Sequence, residues 1–539
     1  MWKNDFLSAI IATDLCNPVR CNMKRVLSLL LAILTLNLYG CGKKNAVVPE
    51  EKKSGQGSAV MENLKESSAP LSFFRDIQQL ELRLEEKLIC SVEYPMLKLS
   101  AADAQKYPVL KRSLDSVNTS FIKNAQSLFD NLSSLAEDAY FSDAEAFTPF
   151  RRDIFVALPR ADSKAVSILC SSSVFSVGEH EEIAYSCLNL DTLSGREIDI
   201  RSLVSDMKTF RSVLETSLSM NYPDVSFDDL MRKLNRYMES PTDFVWTVDY
   251  QGITVYFSPG ELAGFDAGLI SVSLRFDSYP ELLNQSFAEV PAAYVSPLIN
   301  GKCFNFDLDL SGNSDSIQVS DRYDDKLGYS DMLTININGN ITTTKTGLKA
   351  YDCYVIHAGL NRNYLFINGE NLSEYGYINV YRIDRTGATF VGGMYDTSLH
   401  AAGFSGYCEG RTVLTNPESF VMGTLCKLLC PQAGIKTYSI GVDGMPISLD
   451  SCYLLSSSEI LTSKNELATV SVDPVTGNGS QSAVKIPGKT QFYFWRTDGS
   501  SFIDMKTGIG TCCRLFITTK NKTQYVNGIH AEELFDGIA

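Results

Sequence analysis

The sequence predicts a multidomain protein: an α+β domain, then a β-rich region, then a small C-terminal β module. Three observations predict it. At 539 residues the chain exceeds what one hydrophobic core organises, which implies about two to four domains. Between residues 76 and 292, helical and strand periodicities occur in separate runs, the mark of an α+β domain. Beyond Pro291 the pattern is almost wholly that of short strands punctuated by Gly, Asn and Asp.

The N-terminus is read first. Residues 1–22 lack any signal-like pattern and are expected to be an untranslated upstream extension, with Met23 the true start. Lys24 and Arg25 precede an uncharged apolar run over 26–38. A membrane-crossing helix needs about 20 apolar residues, so this run fits the core of a cleavable export signal. Leu38-Tyr39-Gly40-Cys41 closes it and resembles a bacterial lipobox. That resemblance implies a lipoprotein signal peptide over 23–41 and fatty acylation of Cys41 as the new N-terminus. Residues 42–75 follow as a flexible tether, since a stretch rich in Lys, Glu, Ser and Gly cannot bury a core. The expected location is extracytoplasmic, anchored to the cell membrane.

In 76–292, Leu80, Leu82 and Leu84 alternate with charged residues and predict a strand. Pro108 opens a long helix whose apolar stripe runs through Leu110, Leu114, Val117, Phe121, Leu128, Leu132 and Leu135. Strands are expected over 154–157, 166–175 and 182–190. Ser226-Phe227-Asp228-Asp229 resembles a capping box ahead of a short helix with Leu230 and Leu234 inward. Residues 244–248 and 253–257 form a hairpin about Gly252, and 270–276 alternates as a further strand.

The region 293–458 is expected to be β-rich, as a propeller-like or sandwich arrangement, with strands near 332–337, 351–357, 364–367, 377–383 and 389–392. Residues 459–539 carry four or five close strands, the scale of a small barrel.

The net charge of −15 excludes a nucleic-acid partner, because phosphate binding needs basic surface. It suits a cationic partner. Four histidines in the whole chain are too few for several imidazole-based centres. Of fourteen cysteines, none forms a CxxC pair, so zinc ribbons and thioredoxin-like motifs are unsupported. Two readings of the thiols stay open: disulfides of an exported chain, or small buried hydrophobes.

The sharpest local motif is Asp307-Leu-Asp309-Leu-Ser311-Gly312-Asn313-Ser-Asp315. Calcium takes six to eight oxygens, which such a loop supplies at alternate positions about a glycine. Asp307, Asp309, Ser311 and Asp315 would give side-chain oxygens and Asn313 its backbone carbonyl. Gln318 stands where a helix-loop-helix hand has its bidentate Glu, so the loop more closely resembles those of integrin-type (FG-GAP/VCBS) propeller repeats. The competing reading is a solvated acidic turn. Residues 486–490 and the aromatic run Phe492, Tyr493, Phe494, Trp495 resemble a bacterial SH3-like module. At least two of those aromatics must face a core, because strand side chains alternate.

No GxSxG elbow, HExxH or phosphate loop is present. His180 lies in a turn sequence, and His357 on an apolar strand where a core histidine is expected. No catalytic residue is assigned. Acidic pairs such as Asp324-Asp325 leave carboxylate hydrolysis open as an alternative.

Three blocks carry a wider resemblance: "FVALPRADSKAVSIL", "YSCLNLDTLSGREIDIRSLV" and "DYQGITVYFSPGELAGFDAGLISVSL". They are similar to the RsiV/PdaC-type extracytoplasmic domain, found as the ectodomain of a lysozyme-sensing anti-sigma factor and beside a peptidoglycan deacetylase's catalytic domain. At "SPGELAG", Gly260 and Gly264 replace a usual aromatic and proline. The resemblance implies binding and no catalysis. The expected role is an anchored recognition protein at the cell envelope, for lysozyme or peptidoglycan. An envelope hydrolase and a purely structural envelope protein are the alternatives.

Overall fold

Alternating leucines and a two-residue turn make Phe73–Leu84 and Lys87–Leu99 an antiparallel hairpin. Glu85 and Glu86 both take positive φ, 49° and 68°, the geometry that matches strand twist. The computed structural model describes residues 68–538 except 177–181, 325, 372–375, 400–410, 457–458 and 475. Cys41 with its leader, residues 42–67 of the expected tether, His180 and Asp325 lie outside the described residues. The tether's expected end at 75 is corrected to 67 or earlier, because Leu71 and Phe73 are buried and strand Phe73–Leu84 has already begun.

The hairpin belongs to a six-stranded sheet completed by Phe150–Ala161, Ala165–Phe175, Glu182–Asp191 and, at the far edge, Arg411–Val413. Lys87–Leu99 and Phe150–Ala161 run parallel. A parallel neighbour needs a long crossover, and the 35-residue helix Pro108–Ser142 supplies it, with Pro108 in its first turn. Its buried stripe is Leu110, Leu114, Phe121, Ala125, Leu132 and Ala136. Leu135, expected in that stripe, is 49% exposed. A true 3.6-residue period carries the face on to Ala136. Asn118, buried in the same stripe, accepts the Leu97 amide at 2.8 Å and donates to the Leu97 carbonyl at 2.7 Å. The parallel pairing stops at Glu93–Asp153, so Asn118 satisfies backbone that the sheet leaves open.

Val245–Val248, Gly252–Phe257 and Ile270–Arg275 form a three-stranded sheet. Helices Met207–Asn221 and Leu230–Glu239 share its core through Phe210, Leu214, Leu218 and Leu234. The expected capping box is absent. Asp229 caps the second helix in a left-handed conformation, φ 52°, without a side-chain hydrogen bond to its amides, and its carboxylate pairs with Arg232 instead. Gly252 is required for space: a Cβ there would meet the Leu274 carbonyl oxygen at 2.0 Å.

The β-rich half does not divide into four-stranded propeller blades. Its first eight strands, from Tyr294–Leu298 to Gly387–Tyr395, form one antiparallel sheet. Strand Asn340–His357 buries both faces, Cys353 and Val355 on one and Tyr354 and Ile356 on the other. The remaining strands enter a fourteen-stranded sheet. None of the sheets closes into a barrel, so the small C-terminal barrel is corrected to part of an open sheet. The reason is that Tyr453–Ser456 bonds to Gln491–Thr497, using an edge that closure would need. Phe492 and Phe494 are buried and Tyr493 is exposed, as strand alternation requires. Among the described residues no helix is long and apolar enough to cross a membrane. All ten described cysteines with assigned states are free thiols, and burial pushes Cys187 up to about 12 and Cys426 to about 11.

Candidate functional site

The acidic loop joins strands Cys303–Phe306 and Asp315–Asp324. Gly312, at φ 86°, and Leu310, at φ 57°, turn the chain. The turn brings one carboxylate oxygen each of Asp307, Asp309 and Asp315 within 4.8 Å of one another. Asp307 and Asp315 are buried. Ser311 and Asn313 are both exposed.

Each carboxylate is already answered. Asp307 accepts the amides of Ser311 at 3.0 Å and Gly312 at 2.7 Å, and pairs with Arg275 at 2.7 Å. Asp315 accepts the Leu308 amide at 3.1 Å and the Asn338 side chain at 2.8 Å. Arg385 then spans the remaining pair, 3.1 Å from Asp315 and 3.4 Å from Asp309. The Ser311 hydroxyl holds Asp309 below the ordinary carboxylate range. As folded, the donor set therefore fits a guanidinium, and calcium could share these oxygens only after Arg385 swings away. Arg385 is half-exposed, which leaves that exchange sterically open.

The same loop is fastened to the three-stranded sheet. Gln251 accepts the Asp307 amide at 2.9 Å and donates to its carbonyl at 3.3 Å. Behind it, Asn363 donates to the Leu308 carbonyl and accepts from His357, whose Nδ1 lies 2.7 Å away. His357 is a satisfied core histidine. Burial lowers its pKa, and its ring stacks on Tyr294 at 4.9 Å and through it on Tyr250.

A wider cleft lies elsewhere, at the seam where Arg411–Val413 joins the edge of the six-stranded sheet. It measures about 330 Å³, within the usual range for ligand pockets. Ser72, Ser100, Thr412, Asn416 and Ser419 present uncharged hydrogen-bonding groups, and Phe73 and Phe420 add apolar wall. Asp103 alone among the lining residues carries charge. It accepts the Ser72 amide and the Ser100 hydroxyl, each at 2.8 Å. Asn416 donates to Ser72 Oγ at 3.0 Å. Sequence reasoning missed this cleft because its two walls are more than 300 positions apart and neither carries a motif.

No family model matches the chain, and no curated protein matches it. Among solved structures, a member of the DUF3298 family from Bacteroides fragilis aligns at 12% identity and TM-score 0.33, over 42% of this chain and 98% of its own. A DUF3298 family protein from Pseudomonas aeruginosa aligns at 14% identity and TM-score 0.27, over 41% and 98%. DUF3298 is the family of RsiV/PdaC-like domains.

Proposed function

We propose that this protein is a lipid-anchored, extracytoplasmic recognition protein that binds uncharged cell-wall material, held at the membrane through Cys41. The observation that carries the reading is the 330 Å³ cleft, whose lining is uncharged except for Asp103. Glycan hydroxyls and peptide amides pair with hydroxyl and carboxamide groups of this kind, while the phenyl walls take up apolar faces. A second reading, lysozyme, is favoured by the net charge of −15, which would steer in a cationic protein. Hydrolysis is less well supported. A glycosidase needs one carboxyl that holds a proton, whereas the clustered acids of the β-rich half are met by two arginines and by amides. Calcium has a subordinate place: bound in exchange for Arg385, it would brace the loop and take no part in chemistry.

The test is calorimetric titration of the full chain with soluble glycan–peptide fragments and, separately, with lysozyme at low and high salt. Asn416→Leu is expected to weaken fragment binding by roughly tenfold through lost hydrogen bonds while leaving lysozyme binding intact. Fragment binding indifferent to Asn416→Leu removes the cleft from the reading. No binding of either ligand removes recognition altogether.

A further inference from the structure

A second, narrower cleft lies where strand Phe150–Ala161, the hairpin about Gly252 and the segment 294–306 meet. Its volume is about 40 Å³. At roughly 10–15 Å³ for each water-sized group, it holds about three heavy atoms. Tyr256, Phe304 and Phe306 wall it, and Asp249, Thr254 and Ser296 bring polar groups to it.

Two of those polar groups are incompletely used. Ser296 is 4% exposed, yet its Oγ has no hydrogen-bond partner. Leaving a hydroxyl buried and unbonded costs about 1–3 kcal/mol, which a bound group would recover. Asp249 is half-buried and forms no ion pair among the described residues. Its Oδ1 accepts the amides of Gln251 at 2.8 Å and Gly252 at 2.7 Å, and its Oδ2 accepts the Thr254 hydroxyl at 3.1 Å. The neighbouring cations are committed elsewhere. Arg160 pairs with Asp162 and reaches only the backbone carbonyl of Asp249, and Arg275 pairs with Asp277 and Asp307.

We propose that this cleft receives a terminal primary ammonium on an unbranched alkyl chain, as a lysine side chain of a peptide carries. The ammonium donates to the Asp249 carboxylate and the Ser296 hydroxyl, and the aromatic walls add cation–π attraction and cover the methylenes. An anion is repelled by Asp249. A sugar ring exceeds a space of about three heavy atoms, whereas the end of a lysine side chain fits it. The site is independent of the larger cleft and shares no lining residue with it.

The test is titration of the full chain with Nα-acetyl-lysine amide, beside the uncharged straight-chain analogue Nα-acetyl-norleucine amide, which lacks only the amine, and the ring amine glucosamine. Binding is expected for the lysine amide only. Asp249→Asn keeps the acceptor for both hairpin amides and should weaken it by roughly tenfold. Ser296→Val removes the hydroxyl and adds a methyl group to the cleft, and should abolish binding. Thermal unfolding of both variants reports that the fold is kept, and Ser296→Val decides the matter if Asp249→Asn does not fold. Equal binding of norleucine amide or glucosamine, unchanged binding in a folded variant, or no binding of the lysine amide at millimolar concentration overturns the proposal.

Discussion

Arg275 Nη2 lies 2.7 Å from Asp307 Oδ2, and through this pair the α+β half grips the acidic loop of the β-rich half. The Asp307 side chain is 2% exposed, so its charge depends on that guanidinium. Arg275→Ala is expected to destabilise the protein by about 3 kcal/mol, the cost of leaving a buried charge without its partner. Urea unfolding measures it. A loss below about 1 kcal/mol, the level of a surface pair, would show that the contact does not bear on stability.

The fully buried pair Arg160–Asp162 sits 3.0 Å apart. Arg160 also donates to the carbonyls of Asp249, Phe287 and Glu289, tying a strand, a hairpin and the domain's final turn together. Arg160→Met is expected to cost about 3–5 kcal/mol. Hydrogen exchange should show residues 249–252 and 287–289 opening first, because they lose direct bonds. Uniform protection across those segments would count against the clamp.

At the acidic loop, Arg385 stands as the counter-charge of Asp309 and Asp315. Millimolar calcium is therefore expected to raise the melting temperature of Arg385→Ala more than that of the unchanged protein, since the ion no longer competes with a guanidinium. Equal shifts would place calcium elsewhere, and no shift in either would make the loop a self-sufficient ion-pair turn.

His357 titrates against stability. Burial lowers its folded pKa below the unfolded value, and the Asn363 hydrogen bond only partly offsets this. The unfolded state therefore binds the proton first, so the contribution is complete above about pH 6.5 and is lost as pH falls below it. Between pH 8 and pH 5, His357→Gln should lose less stability than the unchanged protein. An identical loss would remove His357 as the titrating group.

Glu261, in the SPGELAG loop, behaves oppositely. Burial raises its folded pKa from 4.5 to about 7, against the Ser258 amide, which it accepts at 2.6 Å. The folded state holds this proton more tightly, so its contribution is complete below pH 4.5 and fades as pH rises to about 7. Glu261→Gln should gain stability relative to the unchanged protein at pH 8 compared with pH 4. A pH-independent difference would show that folding leaves the pKa of this carboxyl unchanged.

The nine-residue acidic loop was legible because its spacing is local, and the structure does bring Asp307, Asp309 and Asp315 together. What answers them was not legible. Arg275 comes from a strand before the loop in sequence and Arg385 from a turn after it, 32 and 70 positions from their partners. The helix at 108–142, most strands of the α+β half and several of the β-rich half followed from periodicity and turn residues. The capping box and the closed barrel did not hold. Asp229 adopts a left-handed conformation, and the Tyr453–Ser456 strand takes up a sheet edge, neither of which local pattern encodes.

By itself the sequence determined the order of α+β and β-rich segments, the acidic net charge and the leader-like apolar run ending at Cys41, because composition and short periods are local properties. Only the tertiary structure decided that Arg411–Val413 returns to the first sheet, that arginines occupy the acidic loop, and that two clefts open at seams between distant strands. Those outcomes depend on which backbone edges and buried charges find partners across hundreds of residues, and pairing of that kind is settled by packing the whole chain at once.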